Sequence, residues 1–529
     1  MCRSRFGSLD KLYNELLKDG LNINFIGING ISTKDRDYNG MISGRSLPWV
    51  QDNEDSRVWE SWDVVIIGSG PAALRAAIAS SDAGTKPIVI DSGSVGSATG
   101  AAPVSGIAIS FDEVDSTTHR DDTISLGGDS SDKSVIARIC GKGVDVLAQL
   151  ENWGLVLQRR DGGLPFASAG NGHTRPRLVG CGDSTSREVT RILEEQVMKR
   201  GIVRRTDLQT LSLVMDNKQV RGITVLNSQS GEVFAIQAKA VILATAGHQG
   251  LWSDLSEGPG TGSALAASAG IKLKGMSNIP KHQLTVRGTN LHLPIDILSA
   301  GGRYRTESGQ DIIPGENTTD EGCVLDLRSL DSDAQIWYSQ TIRRIEERTG
   351  LNPLLDVIPL TETVAFTLGG APIDDRGRVT FNSETMWFTG LYAAGRSANT
   401  GMHGEGYLSG NLQLEDLVTG EAAGSDAGKW SQTVQFGGSE KISKELTKTS
   451  NKIDKYYSSN GPSVEEISKK VLAMAKNMDS INQSVLSGIK ELKNTQIGLT
   501  DESKAMNTEL LRAIQVNAAF SILESAATE

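Results

Sequence analysis

The chain has 529 residues, of which 53 are Lys or Arg and 64 are Asp or Glu, so its formal net charge is −11. This acidic balance argues against nucleic acid or an anionic membrane surface as the main partner. No run approaches the ~20 apolar residues of a membrane-spanning helix, and the start MCRSRFGSLDKL lacks the apolar core of a signal peptide. The four cysteines form no CxxC pair, which disfavours a zinc site or a disulfide framework. We therefore expect a cytoplasmic protein of several domains without an integral membrane segment.

The head of the chain reads CRSRFGSLDKLYNELLKDGLNINFIGINGIS and weakly resembles the first half of a thioredoxin-like redoxin. Cys2 stands near the usual active-site position of that fold. A second cysteine and the later strands of a redoxin are absent, because another domain begins at about residue 62. We expect a partial thioredoxin-like extension over residues 1–61. Either Cys2 has a redox role there, or the segment is an inert extension or a gene-fusion remnant.

The stretch from Trp62 to Asp91 reads WDVVIIGSGPAALRAAIASSDAGTKPIVID, which predicts a strand, a glycine turn, an alanine-rich helix and a second strand. Its GSGPAA segment has the dinucleotide fingerprint GxGxxA, with Gly68 for the tight turn and Gly70 for close approach of a phosphate. An acid stands about 20 residues further on, where the fingerprint expects a partner for ribose hydroxyls. The unit therefore predicts a dinucleotide site; an ordinary glycine turn is the alternative.

The rest of the chain predicts a divided domain with an insertion. Residues 209–247 alternate apolar and polar side chains around two turns, as an antiparallel meander does. Residues 275–361 are less regular and suit an inserted domain, whereas GLYAAGRS from Gly390 is typical of a strand that meets a glycine turn. We expect the first domain over 62–274 and 362–424, a polar linker after Gly424, and amphipathic helices within 425–529.

A glycine-dense loop, GMHGEGYLSGNLQLEDL, precedes a predicted helix that begins at about Leu412. Together with GNGHTRPR from Gly170, VILATAG from Val241 and FTLGGAPIDDRGRV from Phe366, it makes the chain similar to one flavoprotein family. That family contains succinate dehydrogenase, fumarate reductase and L-aspartate oxidase. The resemblance implies an α/β fold, with a Rossmann-like FAD-binding domain, an inserted α+β capping domain over 275–361 and a helical C-terminal region. It also implies an FAD-dependent oxidoreductase that acts on a small organic substrate, with a possible electron-transfer partner subunit.

The resemblance also assigns residues to the cofactor. Family members with covalently bound flavin carry a histidine just before a threonine, but here the pair is Ala98 and Thr99, so we expect non-covalent FAD. Arg396 replaces the acid usual after AAG, and Thr261 replaces an aspartate, so two acceptors for FAD are lost. The expected cofactor-binding residues are Gly68, Gly70, Pro71, Ala72, Asp91, Ser97, Thr99, Gly106, Ala246, Gly395, Arg396, Ser409, Asn411 and Leu412.

The substrate site departs from the family pattern. MSNIPKH keeps a histidine, His282, where the family binds a substrate carboxylate. The other three polar positions carry Ala365, Leu298 and Tyr407. Because a phenol cannot imitate a bidentate arginine, turnover of succinate or fumarate at the family's rate is not expected. We predict His282, Tyr407 and the displaced Arg303 as catalytic residues, with structural roles as the alternatives.

Two kinds of function remain open. The first is a flavoenzyme, either an oxidase or a dehydrogenase or reductase that passes electrons to a partner subunit. The second is a degenerate, non-catalytic flavin-binding subunit whose substrate site has decayed. The missing substrate groups favour the second, whereas the retained flavin loop and phosphate turn favour the first.

Overall fold

The computed structural model describes residues 2–20, 27–29, 46, 49–51, 59–93, 103–160, 162–315, 321–381, 385–476 and 483–529. The chain divides into two compact units, Met1–Glu60 and Ser61–Glu529. The described part of the first unit contains a helix and two parallel strands: α1 (Cys2–Lys18), β1 (Gly27–Asn29) and β2 (Trp49–Gln51). The side chain of Cys2 lies outside the described residues, so the thioredoxin-like extension stays a prediction.

The second unit begins with the predicted strand, helix and strand. These elements are β3 (Glu60–Ile67), α2 (Pro71–Asp82) and β4 (Pro87–Ile90). The strands pair in parallel, with Val64 opposite Pro87 and Ile67 opposite Ile90. The second half of β3 and all of β4 are buried. Both segments are continuous apolar runs, which are typical of strands covered on both faces.

A long segment then adds helices and the meander. Its elements are β5 (Ile107–Ala108), α3 (Glu113–Gly127), α4 (Lys133–Cys140), α5 (Gly143–Asn152), β6 (Ala167–Ser168), β7 (Leu178–Val179), α6 (Thr185–Lys199), β8 (Val203–Arg205), β9 (Leu208–Asp216), β10 (Gln219–Asn227), β11 (Val233–Leu243) and α7 (Thr261–Ser268). Strands β9, β10 and β11 pair antiparallel in succession, as the alternating sequence predicts. The end of β11 then joins the parallel part of the main sheet beside β3.

The inserted region forms an antiparallel sheet with its own apolar core. Its elements are β12 (His282–Val286), β13 (Arg303–Thr306), β14 (Cys323–Asp326), α8 (Ser332–Trp337), α9 (Ser339–Thr349) and β15 (Ile358–Thr363). The strand order is β12-β15-β14-β13. Trp337 and Ile345 from the helices, with Tyr338 between them, fill the core against this sheet. The mixture of helices and strands agrees with an α+β cap; we keep the name capping domain for residues 275–361.

The chain then returns to the main sheet. The elements are β16 (Ala371–Pro372), β17 (Arg378–Phe381), β18 (Met386–Ala393), β19 (Ala398–Asn399) and α10 (Asn411–Thr433). The sheet order is β17-β18-β10-β11-β3-β4-β8, with β9 beside β10 and a second pairing of β18 with β11. The doubly covered parallel strands and the inserted cap confirm the predicted α/β fold class.

The polar linker predicted after Gly424 is wrong, because α10 continues to Thr433. Glycines usually weaken a helix, but Gly420 and Gly424 face the backbone of α2. A Cβ atom at Gly420 would lie 2.4 Å from the carbonyl oxygen of Ala72, and one at Gly424 would lie 2.2 Å from that of Ala76. Close packing of the two helices therefore requires these glycines, and it carries α10 on into the polar stretch that was predicted to be a linker.

The predicted helical C-terminal region contains α11 (Glu440–Ser458), α12 (Val464–Lys476), α13 (Gln483–Asn494) and α14 (Thr508–Ala527). Helix α14 packs against α7, α12 and α13, and α11 covers the meander of β9, β10 and β11. Buried residues of α14, including Phe520 and Leu523, join the core of the main sheet. Among the described residues, no helix is long and apolar enough to cross a membrane.

Candidate functional site

A cavity of about 470 Å³ lies where β3, β4 and β11 end and α2 begins. Ligands of open parallel sheets bind at this carboxyl edge. The walls are formed by residues 67–72, 90–93, 208–210, 244–247 and 256–259 and by Gln249, Thr261, Arg396, Asp416 and Gln515. Seven of the residues predicted for the cofactor therefore meet in one cavity: Gly68, Gly70, Pro71, Ala72, Asp91, Ala246 and Arg396.

The N-terminus of α2 supplies hydrogen-bond donors to this cavity. Gly70 caps the helix in an extended conformation, and no side chain accepts from the first-turn backbone N–H groups. Such free N–H groups, together with the positive end of the helix dipole, favour an anion such as a diphosphate. Gly68 has a φ of +120°, and a Cβ atom there would lie 2.2 Å from the carbonyl oxygen of Ala244. Only glycine fits at this turn.

Asp91 lies immediately after β4 and faces the same cavity. Its backbone N–H donates to the carbonyl of Arg205, which fixes the end of the strand. The hydroxyl of Ser69 donates to one carboxylate oxygen of Asp91, and its other oxygen accepts from the backbone N–H of Ser92 at 2.8 Å. The acid and the phosphate turn are thus held together, in the arrangement that the dinucleotide fingerprint predicts.

Arg396 brings a positive charge into the cavity wall. It forms an ion pair with Glu415 on α10 and lies 3.6 Å from Asp416, with all three side chains almost fully buried. Glu415 also accepts from Thr400 and lies 3.2 Å from Nε2 of His403. Burial would raise the pKa of Glu415, but the charges of Arg396 and His403 outweigh it and hold the pKa far below its usual range.

Asp416 has fewer hydrogen-bond partners than Glu415. Burial and the neighbouring charge of Glu415 raise the pKa of Asp416 to about 7, although Arg396 opposes the rise. One of its carboxylate oxygens is buried without a hydrogen-bond partner among the described residues. Because Arg396 and Asp416 both line the cavity, the charged group would suit a polar part of a dinucleotide.

Residues 401–410 of the glycine loop do not line this cavity. Gly410 has a φ of +80°, and a Cβ atom there would lie 2.7 Å from the backbone nitrogen of Ala108. Asn411, predicted to bind the cofactor, instead has both ends of its amide engaged by His119 and Thr123 at 2.7 and 2.9 Å. The helix begins at Asn411, one residue before the predicted start.

Other predicted cofactor residues have packing roles in the described structure. A Cβ atom at Gly106 would lie 3.1 Å from the backbone of Leu178. Gly395 has a φ of +58° and lies against α2, and Leu412 joins a small apolar cluster. Ser409 is buried near Asp296 of the cap. Ser97 and Thr99, together with Ala98, lie outside the described residues.

The three predicted catalytic residues are held by different neighbours. Arg303 is about half exposed and forms an ion pair with Asp311 on the cap surface, which argues against a role beside the cofactor. His282 is buried in the cap, where burial and nearby His292 lower its pKa to about 4. Tyr407 packs edge-on against Phe366, with ring centres 4.6 Å apart. No contact joins these three side chains in the described part of the chain.

A buried polar cluster between the cap and the main domain was missed by the sequence analysis. Asp296 of the cap, in the short 3-10 helix Ile295–Leu298, accepts from the hydroxyl of Ser105 at 3.1 Å and from the backbone N–H of Asn171 at 3.0 Å. The hydroxyl of Tyr338 lies 3.4 Å from that of Ser105. Burial raises the pKa of Asp296. Burial also raises the pKa of Tyr407, and the charge of Asp296 adds to that rise. The sequence feature that could have indicated this cluster is the single acid, Asp296, within the apolar run LHLPIDIL.

The sequence pattern of the family described as FAD binding domain matches residues 63–325 and 325–412. The chain belongs to the FAD binding domain family. The L-aspartate oxidase of Streptomyces coelicolor is 29% identical over 406 residues, which cover 69% of this chain and 68% of the relative. The fumarate reductase flavoprotein subunit of Mycobacterium tuberculosis is 25% identical over 533 residues, with 88% and 89% covered.

Solved structures show the same fold. The FrdA chain of E. coli quinol fumarate reductase, in a mutant form, superposes with a TM-score of 0.79 at 22% identity and 88% coverage of both chains. Mycobacterium smegmatis Sdh1 in complex with UQ1 gives a TM-score of 0.73 at 22% identity, with 89% of this chain and 86% of that chain covered. Both results agree with the predicted FAD-binding and helical regions. FAD is the cofactor of this family site, and the uncapped start of α2, Asp91 and Arg396 fit it.

Proposed function

We propose that the protein is an FAD-dependent oxidoreductase that binds its flavin without a covalent bond and acts on a small organic substrate. The observation that carries the proposal is the cavity at the start of α2, which combines free backbone donors, Asp91 and the buried Arg396. When bound, FAD supplies the hydride chemistry, and the protein supplies binding, orientation and electrostatics.

The substrate that we propose lacks the paired carboxylates of a dicarboxylic acid. Tyr407 stands where an arginine would bind a carboxylate, and it packs with Ala365, Phe366 and Leu412 in an apolar cluster. Arg303 and Arg305 are both paired with Asp311 in the cap, so neither replaces the missing cation. A carboxylate moved into such surroundings loses its hydration without a matched partner. A neutral, partly apolar compound suits the cluster better.

Asp296 is our candidate for the group that exchanges a proton with the substrate. It belongs to the cap, yet its hydrogen bonds go to Ser105 and Asn171 of the main domain, so it sits on the boundary that an inserted cap forms. Because burial raises its pKa, the carboxyl retains its proton at a higher pH than an exposed aspartate does. A buried carboxyl with a raised pKa is a candidate for general acid or base catalysis.

Two forms of the proposal differ in the partner that exchanges electrons with the flavin. An oxidase would return electrons to oxygen, as the name of the Streptomyces relative suggests for that protein. A reductase or dehydrogenase would exchange them with another subunit, in line with the name of the Mycobacterium relative. The reoxidation rate of the reduced protein in air separates the two forms.

The first experiment is a visible spectrum of the purified full chain, followed by a spectrum of the supernatant after acid precipitation. We expect a flavin spectrum and complete release of FAD into the supernatant. Colour that stays with the precipitate would contradict non-covalent binding. A colourless protein that cannot be reconstituted with FAD would contradict the proposed flavoenzyme.

The second experiment tests the substrate class. The photoreduced protein is mixed anaerobically with fumarate or with a neutral conjugated enone, and flavin reoxidation is followed. We expect faster reoxidation by the enone, and loss of most of that rate in Asp296→Asn. Asp311→Asn, which removes the cap ion pairs of Arg303 and Arg305 with Asp311, is the control and should keep the rate. Faster reoxidation by fumarate would contradict the proposed substrate class.

A further inference from the structure

A second cavity, of about 510 Å³, lies between the meander and the C-terminal helices. Its walls come from β9, α7, α11 and α14, with Lys493 of α13 at one side. Gln209, Thr210, Thr261 and Gln515 line this cavity and the cofactor cavity alike. The volume is typical of a small-molecule site, which ranges over roughly 300–1,000 Å³. The proposed flavin chemistry makes no use of this space.

One part of the second cavity is apolar. Leu213 on β9, Leu265 on α7, Ile453 on α11 and Ile514 on α14 contribute side chains to it. Three of these four residues are otherwise buried core positions. Their presence on a cavity wall leaves apolar surface without a partner atom opposite, and a ligand with an apolar body would restore those contacts.

The other part is basic, although the chain as a whole is acidic. Lys448, Lys452 and Lys493 line the cavity, and one acid, Glu445, does so too. Glu445 pairs with Lys448 at 3.2 Å, and Lys493 pairs with Glu524. Lys452 has no carboxylate within ion-pair distance among the described residues. Its ammonium group lies beside the like charges of Lys448 and Lys493 and lacks a counterion, so an anion would be stabilised there.

The wall that the two cavities share also carries a polar group that is free to bind a ligand. The hydroxyl of Thr210 is buried without a hydrogen-bond partner among the described residues, and its residue is 4% exposed. Buried hydroxyls are almost always paired in folded proteins. This unpaired hydroxyl lies between the two cavities and is a second feature, independent of the lysines, that points to a bound molecule.

We propose that this second cavity binds an amphipathic organic anion, with an apolar body against Leu213, Leu265 and Ile453 and a carboxylate or phosphate head at Lys452. The site is separate from the flavin but shares a wall with it through Thr210 and Gln515. Occupation of the second cavity therefore stabilises the wall of the first and strengthens FAD retention.

Titration calorimetry on the flavin-loaded full chain tests the proposal with octanoate and octyl phosphate as probes. Octanol and inorganic phosphate, each of which has only one half of the proposed ligand, are the reference compounds. We expect octanoate or octyl phosphate to bind at least tenfold more tightly than either reference. The better of the two probes identifies the head group as a carboxylate or a phosphate.

Lys452→Gln is the decisive variant, and we expect it to weaken binding at least tenfold. Lys455→Gln is its matched control, because Lys455 lies on the same helix but lines only the neighbouring surface hollow. The control should bind as the unmodified chain does, and both variants should keep the thermal midpoint because both lysines are exposed. Ala518→Phe, which fills part of the cavity from α14, provides a second loss of binding without a change of charge.

Three results would overturn the proposal. Equal weakening by Lys452→Gln and Lys455→Gln would show a diffuse surface effect. Equal affinity for octanol and octanoate would show that the lysines recognise no head group. Release of FAD by the probes, seen as free flavin in the filtrate, would place them in the cofactor cavity instead.

Discussion

Arg396 shows how a single residue can be both a departure from a family pattern and a structural necessity. The sequence suggested the loss of an acceptor for the cofactor, but the side chain compensates two buried acids, Glu415 and Asp416. A buried charge without a partner is far more costly than an exposed one. The arginine and the acids are therefore best understood as one group that must change together.

We expect Arg396→Leu to destabilise the protein by about 3–5 kcal/mol, because it leaves Glu415 buried without its cation. Urea unfolding at neutral pH measures the loss. Arg343→Leu is the control, since its pair with Glu347 is exposed and should contribute less than about 1 kcal/mol. Similar losses in both variants would contradict the role of the buried pair.

Asp416 gives a pH dependence with a definite sign. Its pKa is raised from 3.8 to about 7, so the folded chain holds this proton more tightly than the unfolded chain. Its contribution is therefore most favourable at acid pH and is lost as the pH rises from about 4 to about 7. Asp416→Asn should make the flavin-free protein more stable than the unmodified chain at pH 8, and the difference should vanish near pH 4. Parallel stability curves of the two proteins between these values would contradict the prediction.

At the scale of elements, the phosphate turn depends on the close approach of two strands. The turn after β3 crosses the end of β11 so closely that Gly68 cannot carry a side chain. The sequence motif indicated this turn because its glycines have a fixed spacing. The motif alone does not show which neighbouring strand excludes the side chain.

We expect Gly68→Ala to lose most bound FAD and to destabilise the protein by roughly 2–6 kcal/mol, the sum of backbone strain and overpacking. Gly154→Ala is the matched control, because Gly154 also has a positive φ, +108°, but has open space around it. The control should show only the strain, about 1–3 kcal/mol, and should retain FAD. Flavin absorbance per protein and urea unfolding measure both effects.

The elements also show where sequence patterns succeed and fail. The unit of β3, α2 and β4 and the meander were predictable, because apolar periodicity and turn residues are local signals. The stretch after Gly424 was predicted to be a linker because it is polar, but α10 continues through it to Thr433. Its stability comes from contact with α2, which is more than 300 residues away for some pairs, such as Ser80 and Gly424. No local pattern contains that information.

At the scale of the whole molecule, the C-terminal helix contributes to the main domain, which contains the cofactor cavity. Helix α14 buries Phe520 in the core of the main sheet and places Gln515 in the wall of the cofactor cavity. The sequence predicted a helical region over 425–529 but not the position of this helix. The C-terminal region therefore supports the cofactor site directly, in addition to extending the core.

We expect Phe520→Ala to destabilise the protein by about 3–5 kcal/mol and also to weaken FAD retention. Ile345→Ala in the core of the cap should be destabilising by a comparable amount, about 2–5 kcal/mol, without a matching loss of FAD. Flavin release during gel filtration, measured well below the unfolding midpoint of each variant, distinguishes the two. Equal flavin loss from both would mean that FAD retention follows overall stability alone.

The sequence by itself determined the dinucleotide fold, the cofactor class and the absence of the family's carboxylate-binding arginine. These features depend on short motifs and on residue types at fixed spacing, which act over one or two elements. Only the tertiary structure decided that Arg303 is held at the cap surface and that Arg396 lies between two acids. It also decided that Asp296 meets Ser105 and Asn171 across the cap boundary. Those outcomes depend on contacts between distant segments, where burial and the nearest charge fix the behaviour of each group.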